Sequence, residues 1–149
     1  MVVKEPACHN PGVPARRIVV LLIAVMAAGC YWLRYHDLVL THCELIEDLS
    51  TATQAQTDAS PPRIEPGDVE RLRYPLGRAR EFIEIAATRY ADRESLVELT
   101  ALVGVYAELI GSLERMRVGV ADSETIRALV ADIHEHAERV RDAVARESA

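Results

Sequence analysis

Residues 16–49 read RRIVVLLIAVMAAGCYWLRYHDLVLTHCELIEDL, and the reading of this stretch decides the fold. Residues 18–33 are sixteen positions without a charge, entered through Arg16 and Arg17 and left at Arg34. At 1.5 Å per residue the run spans about 24 Å, slightly short of a ~30 Å hydrocarbon core. Arg16, Arg17 and Arg34 make up the difference by snorkelling, and Tyr31, Trp32 and Tyr35 stand where an interfacial aromatic belt would. The helical pattern continues past the charged flank. Tyr35, Leu38, Val39, His42, Leu45, Ile46 and Leu49 recur at steps of three and four. One unbroken helix is expected from Arg16 to about Gln56, shared between a bilayer and a helical domain.

The flanks set its direction. Lys4, Arg16 and Arg17 precede the run against a single Glu5, so the positive-inside rule puts the N-terminus in the cytoplasm and residues 36–149 outside it. Residues 16–35 then form a single-pass signal anchor in the cell (inner) membrane. Residues 1–15, with Pro6, Pro11, Gly12 and Pro14, form a disordered cytoplasmic leader. Two other structures fit the same residues. Ala27, Ala28, Gly29 and Cys30 resemble a bacterial lipobox, which would make Cys30 a lipidation site, and a cleaved secretory signal would end before Cys30. The anchor fits best, because seventeen residues precede the run and Tyr31 and Trp32 follow Cys30 where small polar residues are usual.

Working outward, residues 57–67 form a polar linker: Thr57, Asp58, Ala59, Ser60, Pro61 and Pro62 break the first helix, and Pro66 and Gly67 close the segment. A second helix is expected from about Asp68, with the stripe Leu76, Ala79, Ile83, Ala86, Ala87 and Tyr90 and a kink or restart at Pro75. A third runs over 93–117, with Ser95 and Glu98 as a capping box and Asp92 as the competing cap. Its stripe of Leu99, Leu102, Val103, Tyr106, Leu109, Ile110, Leu113 and Met116 is the broadest, so it should be the most buried helix. Gly104 and Gly111, one heptad apart, would admit a close neighbour, and Gly119 ends the helix. Asp122 or Ser123 caps the fourth, whose stripe is Ile126, Leu129, Val130, Ile133, Ala137, Val140 and Val144. No segment alternates at period two. The expected fold is all-α: an N-terminal transmembrane helix continuing into an antiparallel four-helix bundle outside the cytoplasm.

Composition excludes some functions. After Tyr35 there are thirteen Arg against twenty-two Asp or Glu, a net charge of −9. Such acidity argues against nucleic acid, which needs a basic face, and against binding anionic headgroups through this domain. Under this topology Cys8, Cys30 and Cys43 fall in three compartments, so no intramolecular disulfide is expected. Cys43, with His42 beside it on the first helix, is a candidate interchain contact in a homodimer; the alternative is a small buried side chain.

The sharpest candidate for chemistry is His134, Glu135, His136, Ala137, Glu138. Histidines two apart on a helix point about 200° from each other and cannot share an ion, and a zincin needs them four apart, where Glu138 stands instead. His36 and His42 flank the exit from the membrane; His42, in line with Tyr35, Leu38, Leu45 and Leu49, is read as a neutral histidine packed at a helix interface, with a pH-sensitive element as the lesser alternative. The pairs Glu44 and Asp48, Glu81 and Glu84, Glu94 and Glu98 are helix-surface acids without a cleft. Phosphate loops, nucleophile elbows and paired Cys-x-x-Cys knuckles are missing from the sequence. No catalytic, cofactor or metal residue is assigned, and the chain is read as no enzyme. The expected function is an accessory or scaffolding subunit that presents an acidic helical bundle to envelope protein partners. The alternative is an extracytoplasmic ligand-binding or sensory bundle module, in which small ligands sit between helices.

Overall fold

The computed structural model describes the backbone of residues 12–59, 64–119 and 121–149, and side chains within this set from Arg34 onward. Four α-helices follow in chain order: α1 (Gly12–Thr57), α2 (Pro66–Tyr90), α3 (Glu94–Arg117) and α4 (Ser123–Ser148). No strand occurs among the described residues. The chain divides into two compact units, residues 1–34 and 35–149. The second unit is the helical bundle.

Side-chain pairs fix its topology. Tyr35 at the start of the bundle part of α1 meets Tyr90 at the end of α2 and lies one residue from His36, which bonds Glu147 at the end of α4. Arg73 early in α2 pairs with Glu114 late in α3, and Glu94 at the start of α3 with Arg146 late in α4. Sequential neighbours are therefore antiparallel, α1 lies beside α2 and α4, and α3 closes the square.

Of the stripe expected on α1, Tyr35, Val39 and Ile46 are buried, and the rest of the core face differs. Val39, Cys43 and Ile46 are buried, together with Ser50, Thr53 and Thr57, while Leu38 and Leu45 stand partly exposed. Burying a hydroxyl costs free energy unless it finds a partner. Here each finds one on its own helix: Ser50 donates to the Ile46 carbonyl at 2.7 Å, Thr53 to Leu49 at 2.7 Å and Thr57 to Gln54 at 2.8 Å. The C-terminal part of the inward face is thus a run of small, self-satisfied residues.

The α2 helix begins earlier than its apolar pattern suggests. Glu65 is the N-cap, and a reciprocal capping box links it to Asp68. Pro66 occupies the first turn, where its missing N–H costs nothing and its fixed φ suits the helix. Pro66 and Gly67 therefore open α2 instead of closing the linker. The helix does not restart at Pro75, which is buried. Tyr106 donates to the Leu72 carbonyl at 3.1 Å, one residue from the Arg71 carbonyl that Pro75 deprives of its helical donor. Val69, Leu72 and Pro75 extend the buried face, and Ala87 is exposed.

The core centres on α3. Leu99, Leu102, Tyr106 and Leu109 have no exposed surface. Among the described residues α3 is also the one helix long and apolar enough to cross a membrane, and ten of its residues are buried. Gly104 and Gly111 do not admit a close neighbour: a Cβ at Gly104 would meet nothing within 4 Å, and one at Gly111 only the end of Arg115. Gly119 does end the helix region. Its φ of +77° is a left-handed value that glycine adopts without a Cβ penalty, and its N–H bonds the Met116 carbonyl at 2.9 Å. Asp122 caps α4, accepting from the Thr125 N–H and hydroxyl, each at 2.8 Å. Ile126, Val130, Ile133, Ala137, Val140 and Val144 then face inward as the spacing predicts, joined by Ala143.

Candidate functional site

The richest polar constellation lies where α1 enters the bundle, α2 ends, α3 begins and α4 ends. Ser95 sits in the first turn of α3, whose backbone N–H groups lack helical partners. Its N–H is taken by the Glu147 carboxylate at 3.0 Å and its hydroxyl by the same carboxylate at 2.8 Å. The N-cap, Arg93, does not cap the helix with its side chain. The expected capping box of Ser95 with Glu98 therefore does not form, because an acid from α4 caps α3 from outside. Tyr35 Oη lies 2.9 Å from Ser95 Oγ, and His36 Nε2 lies 3.0 Å from Glu147. Ser148 Oγ lies 3.3 Å from His36 Nδ1. Tyr35, His36 and Ser95 are all buried. Burial alone would raise the Glu147 carboxyl, but the two Ser95 donors and His36 outweigh it and hold the group below the ordinary glutamate value.

Ser148, His36 and Glu147 have the connectivity of a nucleophile, base and acid. The geometry does not complete one. Ser148 donates its hydroxyl to the Val144 carbonyl at 2.7 Å instead of to the imidazole. The end of α4 also presents carbonyls, the wrong dipole sign for a developing oxyanion. What the cluster can do is hold α1 to the start of α3 and the end of α4 through one carboxylate.

A second polar seam joins α1 to α4. Glu47 accepts from Arg141 and from His134 Nδ1 at 2.8 Å, and His134 Nε2 faces Thr51 at 3.3 Å. Burial would raise Glu47, and the His134 and Arg141 donors reverse the shift, so its pKa lies below the ordinary value. His134 is thus tied to α1. His136 Nδ1 lies 3.5 Å from Glu98 but makes no hydrogen bond. The two histidines engage different partners on different helices, and no group of three potential ligands occurs among the described residues.

The remaining sequence candidates fall as follows. Arg16, Arg17, Cys30, Tyr31 and Trp32 have side chains outside the described set. Arg34 is exposed, and Tyr35 is a buried residue of the bundle, stacked 6.2 Å from Phe82 and tilted 4.3 Å from Tyr90. Cys43 is buried with its Sγ 3.7 Å from the Ala137 carbonyl, and burial pushes the thiol up to about 11. This is the small buried side chain that the sequence offered as the alternative. His42 is half-buried against Phe82 at 5.0 Å, and burial, with help from Arg78, lowers its pKa. Sequence reading missed Glu147 and Glu47. Both look like surface acids in a chain with many, and the signal that would have found them is a Ser or His brought level by the antiparallel pairing.

At the opposite end, Leu49, Thr53, Gln56, Asp68, Arg71 and Leu72 help line a half-open cleft of about 130 Å³. Pockets that hold small molecules run to roughly 300–1,000 Å³. No family model, curated protein or solved structure matches this chain.

Proposed function

We propose that the protein is a single-pass, membrane-anchored accessory or scaffolding subunit that presents an acidic helical bundle to protein partners in the envelope, with no catalytic centre of its own. The observation that carries this reading is the uncharged run of residues 18–33, bounded by Arg16, Arg17 and Arg34. The helix that holds it, α1, continues into the bundle, and the boundary between the two units falls between residues 34 and 35, where the charged flank stands. The small cleft and the incomplete Ser148, His36, Glu147 arrangement favour this over a ligand-binding module or an enzyme.

Orientation is tested by labelling Ser60→Cys with a thiol reagent that cannot cross membranes. Labelling in intact cells is expected, with the bundle outside the cytoplasm. Labelling only after lysis would reverse the topology. Cys30→Ser separates an uncleaved anchor from a lipoprotein. The anchor keeps its full-length mass and its place in the membrane, whereas loss of a shortened, lipid-modified form would assign Cys30 as the lipidation site.

A further inference from the structure

Among the described residues six large apolar side chains stand exposed, and four of them share one face of the bundle. Leu38 and Leu45, 39 % and 42 % exposed, lie a heptad apart on α1. Tyr74 and Ile85, 73 % and 65 % exposed, lie three turns apart on α2. Phe82 against His42 floors the valley between the two helices. Apolar side chains gathered on one face, unlike those scattered singly, mark a surface that something covers.

Charge indicates what covers it. On α1 the exposed Asp48 follows Leu45 by three residues and shares its edge, while Glu47 is turned to His134 and Arg141 of α4; on α2 the exposed Arg78 follows Tyr74 by four residues and shares that edge. The register set by His42 against Phe82 and Tyr35 against Tyr90 puts Leu38 level with Ile85, and Asp48 level with Tyr74 and Arg78. A face with an acidic edge and a basic edge at the same height is complementary to itself under a two-fold rotation.

We propose that this α1/α2 face pairs with the same face of a second copy about a two-fold axis parallel to the helices, so that α1 of each copy lies on α2 of the other. Leu38 of one copy then covers Ile85 of the other, and Asp48 meets Arg78. The Arg78 bond to Glu81 at 2.6 Å is an exposed pair of small worth and yields to the new partner. The face, about 22 Å long over residues 38–52 and about 20 Å wide, is modest beside a standard interface. The pairing rests on the anchoring proposed above: copies in one bilayer share an orientation and a high local concentration. Cys43 takes no part, since it faces the core.

The test uses full-length chains carrying two different tags, co-expressed and recovered from washed membranes in mild detergent. Wild-type copies should capture each other. Leu45→Glu should lower capture at least tenfold while the circular dichroism of the purified chain stays helical. Asp48→Arg copies should fail to capture their own kind, as should Arg78→Asp copies, because each creates two like-charge contacts. Asp48→Arg with Arg78→Asp should capture each other, because both contacts are restored. Undiminished capture with Leu45→Glu, or failure of the complementary pair, would overturn the pairing. So would wild-type copies that remain in the membrane, helical and without capture, a result that leaves the anchoring intact. A chain absent from the washed membranes would instead contradict the anchoring and, with it, the shared-bilayer two-fold.

Discussion

Glu147 does more than any other single acid in the bundle. One carboxylate accepts the Ser95 N–H, the Ser95 hydroxyl and His36, tying α1, α3 and α4 at one end. Glu147→Gln keeps the shape but loses the charge and one acceptor, and should cost about 1–3 kcal/mol, in the range of charge-assisted hydrogen bonds. Glu135→Gln, which loses only an exposed pair with Arg139, should lie within about 0.5 kcal/mol of wild type. Denaturant titration of the full chain in detergent, followed by circular dichroism, compares the two, and equal costs would contradict the capping role. In the same assay Leu109→Ala, at a site with no exposed surface, should cost about 2–5 kcal/mol.

At the scale of the element, α1 behaves differently from its most apolar reading. Because Cys43 faces Ala137, mild oxidation of membranes should give no dimer band on non-reducing electrophoresis that Cys43→Ser removes. A Cys43-dependent band would mean that α1 turns its other face inward. The stripes of α3 and α4 were legible in the sequence because their buried positions are nearly all aliphatic at steps of three and four. The buried face of α1 was legible at Tyr35, Val39 and Ile46 but not beyond, because Ser50, Thr53 and Thr57 look like surface residues until their hydroxyls are seen bonding back to the helix. The start of α2 was hidden for a similar reason: Pro66 and Gly67 look like loop residues, yet proline is suited to a first helical turn. The Glu147 cap could not be read from local spacing at all, since it joins residues 52 apart.

For the whole molecule, acid should loosen the bundle. Glu47 and Glu147 are held below the ordinary glutamate value of 4.5 in the folded chain. Their contribution is fully present above that value and is lost as pH falls through their folded pKa values. His42, lowered from 6.5, acts in the same direction, because the unfolded chain binds its proton first as pH falls. The melting temperature should decline from pH 7 towards pH 3, and a flat profile would contradict the buried acid clusters. At this same scale stands the claim on which the function depends, that residues 18–33 hold the chain in a bilayer. Membranes containing the full-length protein, washed with high salt and then at alkaline pH, test it most directly. An apolar anchor is indifferent to charge screening, so the chain should remain wholly in the pellet; its release into the supernatant by either wash would contradict the anchoring.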